Sequence, residues 1–126
     1  MSDTNYNFDA EFIYKSCVEW IKNWFSVNAK SDAMAVIGIS GGKDSALTAK
    51  LLTDALGKER VFGVMLPNGI QSDIEDSRRV CDFLGIKHAT INIEDAYTGL
   101  TDRIQEKFSE ENFSYANYKT NTPARL

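Results

Sequence analysis

Apolar side chains recur near the start of the chain at steps of three and four residues: Phe12, Ile13, Cys17, Trp20, Ile21, Trp24 and Phe25. That spacing predicts an amphipathic first helix with two tryptophans on its apolar side. The period then changes. Ala33 to Ile39 is a continuous apolar run, the pattern of a short strand buried on both faces. Ser40-Gly41-Gly42 breaks it, and a second helical pattern follows with Leu47, Leu51 and Ala55 on one face, ended by Gly57. Val61 to Leu66 repeats the buried-strand pattern and is closed by Pro67-Asn68-Gly69. A capping box, Ser72-Asp73-Ile74-Glu75, opens a third helix that carries Ile74, Cys81 and Leu84 inward until Gly85. His88 to Ile93 is a third strand. A fourth helix turns Tyr97, Leu100, Ile104 and Phe108 inward, with Gly99 costing it about 1 kcal/mol.

The order is α-βα-βα-βα. Right-handed crossovers then place the strands parallel in one sheet of the α/β, doubly wound class. Ligands of such sheets bind outside the carboxyl ends of the strands, which directs attention to the loops after Ile39 and Leu66. A length of 126 residues fits one domain, residues 1–126. The final stretch, Ser109 to Leu126, completes no element, and three strands make a thin sheet with exposed edges. The expectation is a domain that is incomplete at its C-terminus.

Composition removes several classes. Hydrophobic residues at 43% and charged residues at 25% suit a packed globular domain, not a disordered one. Fourteen Lys plus Arg against eighteen Asp plus Glu leave a net charge of −4, which disfavours a sequence-independent nucleic-acid partner. No apolar run reaches the length of a membrane span, and the first nine residues are polar and acidic, unlike a secretory leader. A cytoplasmic location is expected. Cys17 and Cys81 lack metal or redox spacing and fall on apolar helix positions, so both are expected as buried, reduced thiols.

The sharpest local chemistry is Gly38-Ile39-Ser40-Gly41-Gly42-Lys43-Asp44-Ser45, between a strand and a helix. Paired glycines allow close backbone approach, the helix start presents free N–H groups, and Ser40 and Ser45 add hydroxyls, so the loop suits an anion. A carboxylate beside phosphate is repulsive unless a cation lies between, which makes Asp44 a candidate Mg²⁺ ligand. The segment lacks the first Gly and the final Ser/Thr of a Walker A loop, and G-x-G-x-x-G is absent. Gly38-Ile39-Ser40-Gly41-Gly42 does satisfy the G-x-S-x-G nucleophile elbow of serine hydrolases. That alternative needs a later acid and histidine, and the one histidine, His88, stands at the start of a strand.

Ser40-Gly41-Gly42-Lys43-Asp44-Ser45 resembles the SGGxDS loop of the PP-loop ATP pyrophosphatases, which cleave ATP between its α and β phosphates. Leu66-Pro67-Asn68-Gly69-Ile70-Gln71-Ser72-Asp73-Ile74-Glu75-Asp76-Ser77 is similar to the LPxGxQxDxxDA stretch of NAD synthetases, and Asn121 to Leu126 to the start of their NxKARxRM motif. The resemblance covers essentially the whole chain but about the first half of the family's domain. It implies a Rossmann-like sheet of the adenine nucleotide alpha hydrolase type, here with about three strands. The implied activity is an ammonia-dependent ligase that converts deamido-NAD and ammonia to NAD through an acyl adenylate, releasing AMP and pyrophosphate from ATP. By matched position, Gly38, Ile39, Ser40, Gly41, Gly42, Lys43, Asp44, Ser45 and Gln71 hold ATP, and Asp44 ligates Mg²⁺. Asp44 and Ser45 form the catalytic pair, and Arg125 reaches deamido-NAD. A homodimer with the dinucleotide site at the subunit interface is implied as well.

The sequence departs from that pattern in places. Met65 stands where many members carry arginine and Pro123 replaces the lysine of NxKAR; with no glutaminase domain expected ahead of the loop, the ammonia-dependent branch is the better fit. Further ATP contacts, a second metal carboxylate and most ammonia-site residues belong to the family's other half. These 126 residues alone are therefore expected not to turn over, and the alternative to a ligase is a non-catalytic fragment that binds ATP with Mg²⁺. Simpler readings hold elsewhere. Trp20, Trp24 and Phe25 suit a core or dimer interface, Asp73, Glu75 and Asp76 suit a helix start, and Lys43 suits solvent.

Overall fold

The computed structural model describes residues 8–108. Its elements run α1 (Ala10–Asn28), β1 (Ala35–Gly38), α2 (Lys43–Leu56), a 3-10 turn (Lys58–Arg60), β2 (Val61–Met65), α3 (Ile74–Leu84), β3 (Lys87–Thr90) and α4 (Glu94–Lys107). All the expected helices and strands among these residues form. The strands are parallel in the order β1-β2-β3, with Ala35 opposite Val61 and Phe62 opposite Lys87. The expected strand ends ran longer than the assigned ones because pairing fades gradually. Ile39 N–H still donates to Val64 O at 2.9 Å, and Ile91 N–H to Met65 O at 2.8 Å.

The core lies between the sheet and α2 and α3. It consists of Ile39, Ala49, Val61, Met65, Cys81 and Ile86, with Ile37, Leu52, Leu56, Ile74, Val80 and Leu84 packed around it. Val61, Gly63 and Met65 alternate onto this face, as the two-residue period of β2 requires. The other face of the sheet is more open. Val36 is 69% exposed, so β1 is not the doubly buried strand its apolar run suggested.

Helix α1 departs further from expectation. It packs on α2, and Tyr14, Val18, Ile21 and Phe25 are its half-buried positions. Trp20 is 66% exposed, and Phe12, Ile13 and Trp24 are exposed too. Cys17 is also exposed, against the expectation for both thiols, because it lies beside the stripe that meets α2. Cys81 is buried as expected, and burial, helped by the Asp82 charge, pushes its thiol pKa up. The capping box does not form. Asp73 precedes α3 at φ −92, ψ 4 and makes no side-chain cap bond, so the helix is entered through a turn.

Tyr14 donates its hydroxyl to the Asp54 carboxylate of α2, which also accepts from Lys50 Nζ at 2.8 Å. Burial, then the hydrogen bond and charge of Asp54, push Tyr14 from 10.0 up to about 12. The Lys50 and Tyr14 hydrogen bonds hold Asp54 below the ordinary carboxylate value. Neutral Tyr14 and ionised Asp54 are thus the forms the fold favours. The Tyr14 contribution is complete below pH 10.0 and is lost as pH rises towards about 12. Tyr14→Phe should accordingly flatten the fall in melting temperature over that window. Parallel alkaline melting curves for the two proteins would show that the bond between α1 and α2 is not made.

Candidate nucleotide site

Because the strands are parallel, the loops after β1 and β2 emerge at one edge of the sheet. Between them lies a cavity of about 340 Å³ lined by Gly38, Ile39 and Ser40 from the first loop, Val64 to Pro67 and Gln71 from the second, and Asp73, Ile74 and Ser77 at the start of α3. The cavity lies at the two loops to which the α/β rule directs attention.

The glycine loop is held from within. Ser40 N–H donates to Ser45 Oγ at 3.1 Å, and the two hydroxyl oxygens are also 3.1 Å apart. Gly42 N–H donates to Ser40 Oγ at 3.3 Å, and Ser45 Oγ donates to Gly42 O at 3.4 Å. Gly41 sits at φ +84 against the first turn of α3, which lets the backbone bend tightly into α2. Such a turn leaves N–H groups and the positive end of a helix facing outward, an arrangement that favours anions.

The second loop is fixed by Asn92. Its amide nitrogen donates to Gly69 O, and its oxygen accepts from Gly69 N–H, both at 3.1 Å; Glu94 N–H also donates to that oxygen, at 2.9 Å. Asn92 thereby ties the segment leading to Gln71 to the start of α4.

The candidate residues fall into three groups. Gly38, Ile39, Ser40 and Gln71 line the cavity itself. Gly41, Gly42 and Ser45 shape the loop beside it, while Lys43 and Asp44 project into solvent with Nζ 3.6 Å from Oδ1 and side chains 92% and 93% exposed. Arg125 and the rest of the Asn121 to Leu126 segment lie outside the described residues. Asp73 and Ser77 also line the cavity, although sequence reasoning treated Asp73 as helix-start charge and gave Ser77 no role. The only available signal was their spacing of four, which places them on one face of a helix entering beside the loop.

No cluster of three or more metal-ligating side chains occurs among the described residues. The donors present suit Mg²⁺ arriving with phosphate, since that ion is commonly held by one or two carboxylates plus phosphate oxygens. Asp44 offers an exposed carboxylate, whose one ion pair among the described residues is the weak one to Lys43. A serine nucleophile has less support. The Ser40 hydroxyl is engaged with Ser45 and Gly42, while His88 Nε2 lies 3.5 Å from Asp82 Oδ1.

The NAD synthase family model matches residues 13–126. The chain belongs to the NAD synthase family. It is 38% identical over 121 residues to the NH(3)-dependent NAD(+) synthetase of Methanosarcina acetivorans, covering 94% of this chain and 46% of that protein. The enzyme of the same description from Pyrococcus furiosus is 44% identical over 84 residues, 67% of this chain and 30% of that protein. Among solved structures, the NMN synthetase of Francisella tularensis matches with a TM-score of 0.78 and 29% identity, over 95% of this chain and 47% of that one. The NH3-dependent NAD synthetase of Campylobacter jejuni, in complex with nitrate, matches with a TM-score of 0.68 and 31% identity, over 76% and 42%. The chain thus spans less than half the length of these relatives, and its sheet is the Rossmann-like α/β fold of the family. No described helix is long and apolar enough to cross a membrane.

Proposed function

We propose that residues 1–126 are the ATP-binding part of an ammonia-dependent NAD synthetase, working with Mg²⁺ in the cytoplasm as a homodimer. The observation that carries this reading is the hydroxyl-braced glycine loop at the carboxyl end of β1, opening onto the cavity that Gln71 also lines. The loop N–H groups, Ser40 and Ser45 take the phosphates, Gln71 contacts the nucleotide, and Arg125 reaches deamido-NAD. Asp44 would hold Mg²⁺, which supplies charge neutralisation at the phosphates.

The reaction uses the loop mainly for positioning and for stabilising departing charge. A carboxylate oxygen of deamido-NAD attacks the α-phosphorus as the bond to pyrophosphate breaks. Ammonia then attacks the acyl carbon, AMP leaves, and a proton is lost from nitrogen to give the amide. The 126 residues supply the nucleotide half of this chemistry and do not turn over alone.

The test is calorimetric titration of the chain with MgATP, beside an assay for AMP and amidated product from deamido-NAD, MgATP and ammonium. Binding without turnover is expected. Turnover would overturn the assignment of the remaining groups to another segment, and absent binding would overturn the nucleotide reading. Asp44→Ala should abolish the Mg²⁺ dependence of ATP affinity without lowering the melting temperature, since the side chain is exposed. Unchanged Mg²⁺ dependence would sink the metal assignment.

A further inference from the structure

We propose that Ser77 Oγ is a hydrogen-bond donor to the polyphosphate of the bound nucleotide, an inference that rests on the nucleotide reading above and extends it to a residue on α3. Ser77 is only 3% exposed, yet it lines the cavity. Its hydroxyl has no hydrogen-bond partner among the described residues. The acceptor one turn back, Asp73 O, is taken by the N–H groups of Asp76 at 3.1 Å and Ser77 at 3.3 Å. Buried hydroxyls are nearly always paired, and one left bare weakens the fold. The open side from which a partner can reach this serine is the cavity.

Its position says which part of the ligand that is. Ser77 Oγ lies 3.3 Å from the point where a Cβ on Gly41 would stand, directly under the glycine loop. Gly38, Ile39 and Ser40, which lead into that loop, line the cavity together with Ser77, whereas Leu66 and Gln71 come from the segment after β2. Groups beside Gly41 meet phosphate. A hydroxyl donating to a charged oxygen is among the stronger hydrogen bonds, and its loss reads as about a tenfold change in affinity.

The experiment is calorimetry of the 126-residue chain and Ser77→Ala with MgATP and with adenosine, together with thermal melts. Ser77→Ala should weaken MgATP about tenfold, leave adenosine within about twofold, and keep or raise the melting temperature. Ser77→Cys, which keeps the volume but donates poorly, should bind MgATP as weakly as the alanine variant. Wild-type affinity in Ser77→Ala would overturn the proposal while leaving the nucleotide reading intact. So would an equal loss for ATP and adenosine with a lowered melting temperature, or recovery in Ser77→Cys, since each marks packing. Failure of the parent chain to bind MgATP would overturn both.

Discussion

Gly63→Val should destabilise the chain by about 3 kcal/mol or more, leaving it largely unfolded if its stability lies near the low end for domains. Gly63 occupies the middle of β2, the central strand, between Ile37 of β1 and His88 of β3. A Cβ there would stand 2.9 Å from Cys81 Sγ, 3.3 Å from Ile39 Cγ1 and 3.4 Å from Ile86 Cδ1. All three neighbours belong to the six-residue core, so none can swing out into solvent. A single added methyl would force α3 away from the sheet at a cost of about 1–3 kcal/mol, and valine adds two more. Urea melts followed by circular dichroism would measure it. Cys81→Ala should recover part of the loss in Gly63→Ala, because it removes the closest atom. A stable Gly63→Ala protein would mean that α3 does not approach the strand so closely.

That close approach was not legible in the sequence, where a glycine inside an apolar run shows only as a weak strand position. Patterns carried the elements because period and breaker residues are local properties: β2 begins at Val61, and α2 and α3 stop at Gly57 and Gly85 as expected. What a helix packs against is not local. The apolar stripe of α1 is wider than the surface α2 offers it, so Tyr14, Val18, Ile21 and Phe25 are half-buried while Cys17 and Trp20 stay outside. The same division holds at the site. The two loops that line the cavity were legible because parallel strands send their following loops to one edge. Asn92 and Ser77 were not, because one acts across 23 residues of sequence and the other is placed by the angle at which α3 enters.

Gly41→Ala should reduce MgATP affinity by about a hundredfold or more while leaving most of the fold in place. Two independent costs meet at this residue. Its φ of +84 is a conformation that alanine adopts only with strain. An added Cβ would also lie 3.2 Å from Asp73 O, 3.3 Å from Ser77 Oγ and 3.5 Å from Asp76 Cβ. The first of these is backbone and cannot rotate away, so the loop itself must shift and take with it the N–H groups proposed to meet phosphate. Gly57 separates the two effects. It has nearly the same φ, +87, but nothing within 4 Å of an added Cβ, and it lies at the far end of α2. Gly57→Ala should therefore lose stability through backbone strain, about 1–3 kcal/mol, and keep its affinity for MgATP. If Gly41→Ala bound MgATP as Gly57→Ala does, the loop would not be the nucleotide's cradle. A large loss confined to Gly41→Ala would tie binding to the turn where an added Cβ on the glycine loop would crowd the start of α3.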